Sequence, residues 1–133
     1  LNPPVFMSTL EQLKTLLNEL DASVSGQIQG SLIASSDGFL ISDTLSGSDD
    51  ADRVAAMVAT TVGVGRRMAN TLGAGALSET SISGDQRLIQ LYLIGESGVL
   101  AVVAPTGSNI ALINISARKT AEKAQALLQE VIA

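Results

Sequence analysis

The spacing of apolar residues predicts an amphipathic helix close to the N-terminus. The sequence STLE at residues 8–11 is a capping box, in which Ser8 is the N-cap and Glu11 reaches back to it. The helix is expected to end before Gly26, where the apolar spacing is interrupted. The residues that share its apolar face are Leu10, Leu13, Leu17, Leu20 and Val24.

The segment GSLIASSDGFLISD at residues 30–43 predicts a β-hairpin. Ser36, Asp37 and Gly38 separate two short apolar runs, and an Asp-Gly pair supplies the positive φ that a tight turn needs. A polar connector follows at residues 46–50, and its serine and aspartate side chains are suited to capping a helix. The next element is therefore expected to be helical.

This second helix, DADRVAAMVATTVGVGRRMANTLG at residues 50–73, has two different non-polar faces. Small residues lie on one face at Ala55, Ala59 and Gly63, and Arg66 and Asn70 extend it. They would allow the backbone of a second helix to approach closely, or they would fill a crowded packing site within one subunit. The other face is a broad stripe expected to cover the sheet: Val54, Met57, Val58, Thr61, Val62, Met68, Ala69 and Leu72.

Three further strands are predicted after Gly73. Residues 77–83 (LSETSIS) are polar on both sides, which is typical of an edge strand. Residues 88–94 (LIQLYLI) and 99–104 (VLAVVA) are strongly apolar and are expected to be interior strands. An edge strand next to a helix with a ridge of small residues indicates a symmetric dimer with one sheet running through both subunits.

A third helix is predicted after Pro105 and Gly107, with Ser108 as its N-cap. The order of elements is thus αββαβββα, an α+β fold with one five-stranded antiparallel sheet. Residues 8–133 are expected to form a single domain, and residues 1–7 a disordered lead-in or a vector remnant. The apolar face of the third helix is predicted at Ile110, Ile113, Ala117, Ala121, Ala124, Leu128 and Val131.

The composition disfavours several classes of function. Hydrophobic residues make up 46% of the chain and aromatic residues 2%, so the core is expected to be aliphatic. The net charge is −5 and the eight Lys and Arg form no basic run, which disfavours nucleic acid and electrostatic membrane binding. Residues 97–117 carry no charge and could suggest a membrane-spanning helix. The PTGSN segment at residues 105–109 would break such a helix, so this interpretation is rejected. We expect a cytoplasmic protein.

Candidate chemistry is sparse. The chain has no cysteine and no histidine, which excludes disulfides, thiolate catalysis and Cys/His metal sites. Asp49, Asp50 and Asp52 suggest a cation site, but they are better explained as caps of the second helix. Gly63 and Gly65 form only part of a dinucleotide fingerprint and lie within a helix. We therefore predict no enzyme activity, no metal and no cofactor.

The order of these elements, the hairpin turn at Asp37 and Gly38, and the closing helix that begins with SNIAL resemble the Roadblock family across residues 7–133. This family includes dynein light chains and bacterial gliding-polarity proteins. The resemblance implies a profilin-like sheet with one helix on one face and two on the other, and dimers formed through the second helix and third strand. The expected interface residues are Ala55, Ala59, Val62, Gly63, Arg66, Ser78, Thr80 and Ile82.

The resemblance also implies a function in protein binding. Family members bind Ras-like small GTPases or the dynein intermediate chain, and in gliding-polarity members the paired second helices face the GTPase. The exposed part of this helix, at Arg53, Thr60, Arg67 and Asn70, is therefore the expected partner surface. The implied function is a homodimeric adaptor that modulates GTP hydrolysis or localisation of a GTPase. The alternatives are a scaffold or motor-complex light-chain module, paired with another Roadblock chain and without effect on nucleotide turnover, and a small-molecule sensor.

Overall fold

A computed structural model describes residues 8–46 and 50–132 of the chain. The predicted lead-in at residues 1–7, the proposed capping role of Asp49 and the predicted inward position of the Val131 side chain lie outside what is described. All statements below concern the described residues.

The three helices and five strands follow the predicted order. The strands form one antiparallel sheet in the order β2-β1-β5-β4-β3, so that β2 and β3 are its edges. The predicted αββαβββα fold and the edge position of the polar third strand are confirmed. The elements are α1 Thr9–Ser23, β1 Gly30–Ser35, β2 Leu40–Asp43, α2 Ala51–Thr71, β3 Glu79–Ser83, β4 Arg87–Ile94, β5 Gly98–Pro105 and α3 Ile110–Ile132.

Helix α1 begins with the predicted capping box. The backbone N–H of Glu11 donates to Ser8 Oγ at 3.1 Å, and the backbone N–H of Ser8 donates to Glu11 Oε1 at 2.9 Å. The pKa of Glu11 is lowered first by the backbone N–H of Ser8, which donates to its carboxylate, and then by the Ser8 hydroxyl. The local sequence thus fixes where the helix starts.

Two apolar layers hold the helices against the sheet. On one face, α1 and α3 pack side by side over the sheet around Leu13, Leu17, Leu100 and Ile113. On the other face, α2 alone forms the second layer, so the fold has one helix on one face and two on the other. The buried members of that second layer are Leu32, Ala34, Ala55, Val58, Val62, Leu91, Val99 and Ala101.

The predicted sheet-facing stripe of α2 is wrong in part. Met57, Met68 and Leu72 were expected to cover the sheet but are 59%, 58% and 76% exposed. The buried line is instead narrow, and it includes Ala55, which is 0% exposed, and Val62, which is 4% exposed. A helix seated above β1, β2 and β5 buries only the residues directly over those strands.

Helix α3 begins one residue later than predicted. Asn109 is the N-cap, because its Oδ1 accepts a hydrogen bond from the backbone N–H of Leu112 at 3.2 Å. The hydroxyl of Ser108, which was the predicted cap, donates instead to the carbonyl oxygen of Pro105 at 2.7 Å. The predicted inward face is buried from Ile113 onwards, at Ile113, Ala117, Ala121, Ala124 and Leu128, whereas Ile110 is exposed.

Candidate protein-interaction surfaces

Strand β3 has an unpaired edge that points away from the sheet. The carbonyl oxygen of Ser78 accepts from Leu93 N–H at 3.1 Å, and the N–H of Gly84 donates to the carbonyl oxygen of Arg87 at 2.9 Å. Successive residues of a strand alternate in direction, so the even-numbered residues between them also bond to β4. The outward-facing backbone groups belong to Glu79, Ser81 and Ser83.

The side chains of β3 divide between the two faces of the sheet. Glu79 receives a hydrogen bond from Arg118 of α3, so the odd-numbered side chains lie on the α3 face. Thr80 and Ile82 lie on the α2 face: an ideal Cβ on Gly65 would be 3.6 Å from Thr80 Oγ1, and Ile82 lines a groove beside α2. Ser78, also a predicted interface residue, is exposed just before the strand begins.

The groove lies between the N-terminal half of α2 and the part of the sheet that this helix does not cover. Its volume is about 710 Å³, within the range of ligand and peptide sites. Met57 and Thr61 form part of its helical wall, and Arg87 lies at its rim. The apolar residues contributed by the strands are Leu32, Ile82, Ile89, Leu91, Ala101 and Val103.

The two flanks of α2 face different parts of the sheet. Met57 and Thr61 line the groove towards β3, and at 100° per residue Val64, Met68 and Leu72 lie on the same flank. We call these five residues the methionine flank. The opposite flank meets the β1–β2 turn, where the ideal Cβ of Gly38 would lie 3.7 Å from the Cβ of Ala59.

The predicted helix and strand portions of the dimer interface therefore lie on opposite flanks of α2. Ala55 and Val62 are buried beneath the helix, so their side chains have no surface to offer a second subunit, and that part of the prediction is corrected. Ala59 packs beside the hairpin turn and Gly63 is exposed, whereas Thr80 and Ile82 lie beyond the other flank. Arg66 is half-buried between the sheet-facing line and the hairpin flank.

The predicted partner residues occupy the outer face of α2. Arg53, Thr60, Arg67 and Asn70 are all exposed. Arg53, Thr60 and Arg67 recur every seven residues, which places these three along one line of the helix surface. The hydroxyl of Thr60 donates to the carbonyl oxygen of Ala56 at 2.9 Å, so this side chain lies along its own helix. The side chains available to a partner on this line are consequently the two arginines.

A polar network under α3 was not anticipated. Asn114 Oδ1 accepts hydrogen bonds from Tyr92 OH at 2.5 Å and from Gln90 Nε2 at 3.3 Å. Gln90 is buried, its Oε1 accepts from the hydroxyl of Ser81, and burial raises the pKa of Tyr92. The signal in the sequence was a glutamine within the apolar run LIQLYLI.

The described residues offer little chemistry of another kind. No three His, Cys, Asp or Glu side chains among residues 8–46 and 50–132 lie together as a metal site would require. Asp50 is the N-cap of α2 and accepts from the backbone N–H of Arg53 at 3.2 Å. None of the described helices is long and apolar enough to cross a membrane.

Comparison with known proteins places this architecture in a family. The model of the Roadblock/LC7 domain matches residues 14–104, and the chain belongs to this family. An uncharacterized protein of Methanocaldococcus jannaschii is 34% identical over 108 residues, covering 81% of this chain and 94% of the relative.

Solved structures share the whole fold. Myxococcus xanthus MglB superposes with a TM-score of 0.84 at 14% identity, covering 97% of this chain and 96% of that one. A structure described as MglB with tetrameric arrangement gives a TM-score of 0.85 at 17% identity, covering 99% of this chain and all of the other. At this identity the likeness is one of fold, and it confirms the resemblance to gliding-polarity proteins at that level.

Proposed function

We propose that this chain is a non-catalytic, homodimeric adaptor that binds a Ras-like small GTPase and modulates its GTP hydrolysis or its localisation. Membership of the Roadblock/LC7 family and the fold shared with MglB support this function. The observation that carries the proposal is the outer face of α2, where Arg53 and Arg67 are both exposed. Thr60, between these two arginines, is exposed as well, so solvent-accessible residues recur along this line of the helix, as a docking surface requires.

The charge of α2 supports a protein partner with an acidic surface. The helix contains Asp52 and three arginines, Arg53, Arg66 and Arg67, so its formal charge is −1 + 3 = +2, whereas the whole chain carries −5. Complementary charges accelerate association and set orientation more than they add affinity. Two copies of α2 in a dimer would double this basic surface.

Self-association is supported by the free edge of β3 and by the exposed methionine flank. Among the described residues, the outward backbone groups of β3 have no strand partner within the subunit. Pairing two β3 strands would remove this edge and produce a ten-stranded sheet from two five-stranded ones. The MglB described as tetrameric is a fold relative that assembles.

The experiment uses the purified chain and purified Ras-like GTPases from the same organism, each loaded with GDP or a GTP analogue. We expect binding that prefers the GTP form, with changed hydrolysis or localisation. The double variant Arg53→Glu/Arg67→Glu should bind at least about tenfold more weakly, as expected for docking residues. Lys119→Glu/Lys123→Glu makes the same change of charge on α3 and serves as the control.

Other outcomes separate the alternatives. Binding that is indifferent to nucleotide, with unchanged turnover and localisation, would favour a scaffold. If no GTPase binds, the proposed function is wrong. Equal loss of binding in both double variants would show that overall charge, and not the outer face of α2, governs the interaction.

A further inference from the structure

The floor of the groove beside α2 consists of two rows of residues that cross the sheet. The first row begins at Gly30 of β1 and continues through Val103, Ile89 and Ile82, each paired with the next across neighbouring strands. Neighbouring strands lie about 4.8 Å apart, so this row runs about 14 Å from β1 to β3. The second row, two residues away on each strand, consists of Leu32, Ala101 and Leu91. The groove is therefore elongated, and none of the described side chains that line it is aromatic.

The two ends of the groove differ in polarity. At β1, the side chain of Leu45 covers the backbone of Gly30, because an ideal Cβ on this glycine would lie 3.0 Å from Leu45 Cδ2. At β4, Arg87 lies two residues before Ile89, so both side chains leave the sheet on the same face. One end of the groove is consequently apolar and covered, and the other has a charged side chain at its rim.

The guanidinium of Arg87 is available to a ligand. It forms no ion pair or side-chain hydrogen bond with the described residues, and among those that line the groove it is the only charged group. The hydroxyl of Thr61 donates to the carbonyl oxygen of Met57 at 2.8 Å, so this donor is already used within α2. A ligand that complements the groove therefore combines an aliphatic body with a single anionic group.

We propose that the groove binds a free aliphatic carboxylic acid, with its carboxylate on the guanidinium of Arg87 and its alkyl chain along the first row towards Leu45. Arginine binds carboxylates through two parallel, charge-assisted hydrogen bonds. The volume of about 710 Å³ is within the range of small-molecule sites, which combine an apolar lining with a few polar groups. This ligand site goes beyond the proposed function, which does not require it.

The site is tested by calorimetric titration of the purified chain with dodecanoate below its micelle-forming concentration. We expect saturable binding of one dodecanoate per chain. Decanoate and octanoate should bind more weakly, by about fourfold for each methylene group removed, because each buried methylene contributes roughly this factor. Dodecyltrimethylammonium has the same alkyl chain and a positive headgroup, and it should bind at least about tenfold more weakly. Equal affinity for the anion and the cation would overturn the proposal.

The role of Arg87 is tested by Arg87→Gln. We expect the affinity for dodecanoate to fall about tenfold to a hundredfold, as for the loss of a hydrogen bond to a charged group. Lys119→Gln removes the same charge from α3, on the opposite face of the sheet, and is the matched control that should bind as wild type does. Equal losses in the two variants would show that overall charge governs binding and would overturn the assignment of Arg87.

The position of the alkyl chain is tested by Val103→Phe. Val103 is only half-buried at the centre of the first row, so a larger side chain at this position can extend into the groove. We expect this variant to lose dodecanoate binding while its circular dichroism and thermal unfolding remain those of a folded chain. Undiminished binding in a folded Val103→Phe would place the ligand elsewhere and overturn the proposed position.

The remaining outcomes distinguish this inference from other ligands and from the proposed function. Absence of saturable dodecanoate binding to the wild-type chain overturns the inference. Sedimentation of the chain with phospholipid vesicles, without binding of free dodecanoate, would also overturn it, because a membrane surface would then be recognised. All of these measurements use the chain without a GTPase, so the proposed function can fail or hold independently of them.

Discussion

The guanidinium of Arg118 on α3 holds the carboxylate of Glu79 on β3 by paired hydrogen bonds, with Nη2 2.9 Å from Oε1. The second bond joins Arg118 Nε to Glu79 Oε2. A polar edge strand with few apolar contacts is thus tied to the helix that lies above it. On the same side, the hydroxyl of Ser81 donates to Gln90. Both contacts position the strand that we expect to pair with a second copy.

Removal of the guanidinium should change the titration of Glu79. The hydrogen bond from Arg118 holds the pKa of Glu79 below its ordinary value. A lowered carboxyl pKa contributes stability above the unfolded-state pKa, and this contribution is lost as the pH falls through the folded-state pKa. Arg118→Gln should therefore raise the pKa of Glu79, as measured by NMR of its carboxyl carbon. The stability difference from wild type should be largest at neutral pH and vanish in acid.

Lys119→Gln provides the control for this titration, because it removes one positive charge from the next position of the same helix. It should leave the pKa of Glu79 almost unchanged. An identical pKa in wild type and Arg118→Gln would show that the guanidinium does not hold the carboxylate in solution.

Loss of Asn114 should destabilise the subunit. Asn114→Ala would leave the hydroxyl of Tyr92 and the side-chain amide of Gln90 without their shared acceptor. Leaving a buried polar group unsatisfied costs about 1–3 kcal/mol. Urea unfolding should show a loss of this size, whereas Lys119→Ala on the exposed side of α3 should stay within about 0.5 kcal/mol of wild type. Equal midpoints for the two variants would mean that water replaces Asn114.

The fold could be predicted because its signals are local. The capping box at residues 8–11, the Asp37–Gly38 turn and the polar third strand each depend on a few neighbouring residues. The faces of α2 could be predicted only in part. Helical periodicity identifies which residues share a line on the helix surface, as Arg53 and Arg67 do, but the expectation that this line is exposed came from the resemblance to the Roadblock family. Periodicity does not reveal which line lies over the strands.

Tertiary packing decides which line of α2 lies over the strands. The narrow layer above β1 and β5 accepts the small Ala55, while the larger Met57 and Met68 remain outside it. The groove could not be predicted from the sequence at all, because its walls come from α2 and from strands far apart in the chain. The groove can be located only when it is known where α2 stops covering the sheet.

The N-cap of α3 offers a direct test of a choice between two neighbouring residues. Both Ser108 and Asn109 have side chains that commonly cap helices, and sequence preference does not separate them. Only Asn109 accepts from the backbone of the first turn. Asn109→Ala should cost about 1 kcal/mol of unfolding free energy, and Ser108→Ala clearly less, by urea denaturation. A larger loss of unfolding free energy for Ser108→Ala would show that Ser108 is the N-cap, as predicted from the sequence.

Two glycines of α2 should respond differently to the same substitution. A Cβ on Gly63 would meet no atom within 4 Å beyond its own helix, so Gly63→Ala should stabilise the subunit by about 0.5–1 kcal/mol through helix propensity. A Cβ on Gly65 would lie 3.1 Å from Leu77 Cδ2 and close to Thr80. Gly65→Ala should therefore lose much of that gain, because α2 or Leu77 must move. Urea unfolding of the two variants makes this comparison.

The same pair of variants decides which flank of α2 meets a second copy. Gly65 lies above β3, so a displaced helix in Gly65→Ala should weaken self-association, whereas Gly63→Ala should leave it intact in sedimentation equilibrium. The ridge of small residues predicted from the sequence requires the opposite, because a methyl group at Gly63 would block close approach of two helices. Weaker association in Gly63→Ala alone would therefore show that the second copy contacts the small-residue face of α2 and not the methionine flank.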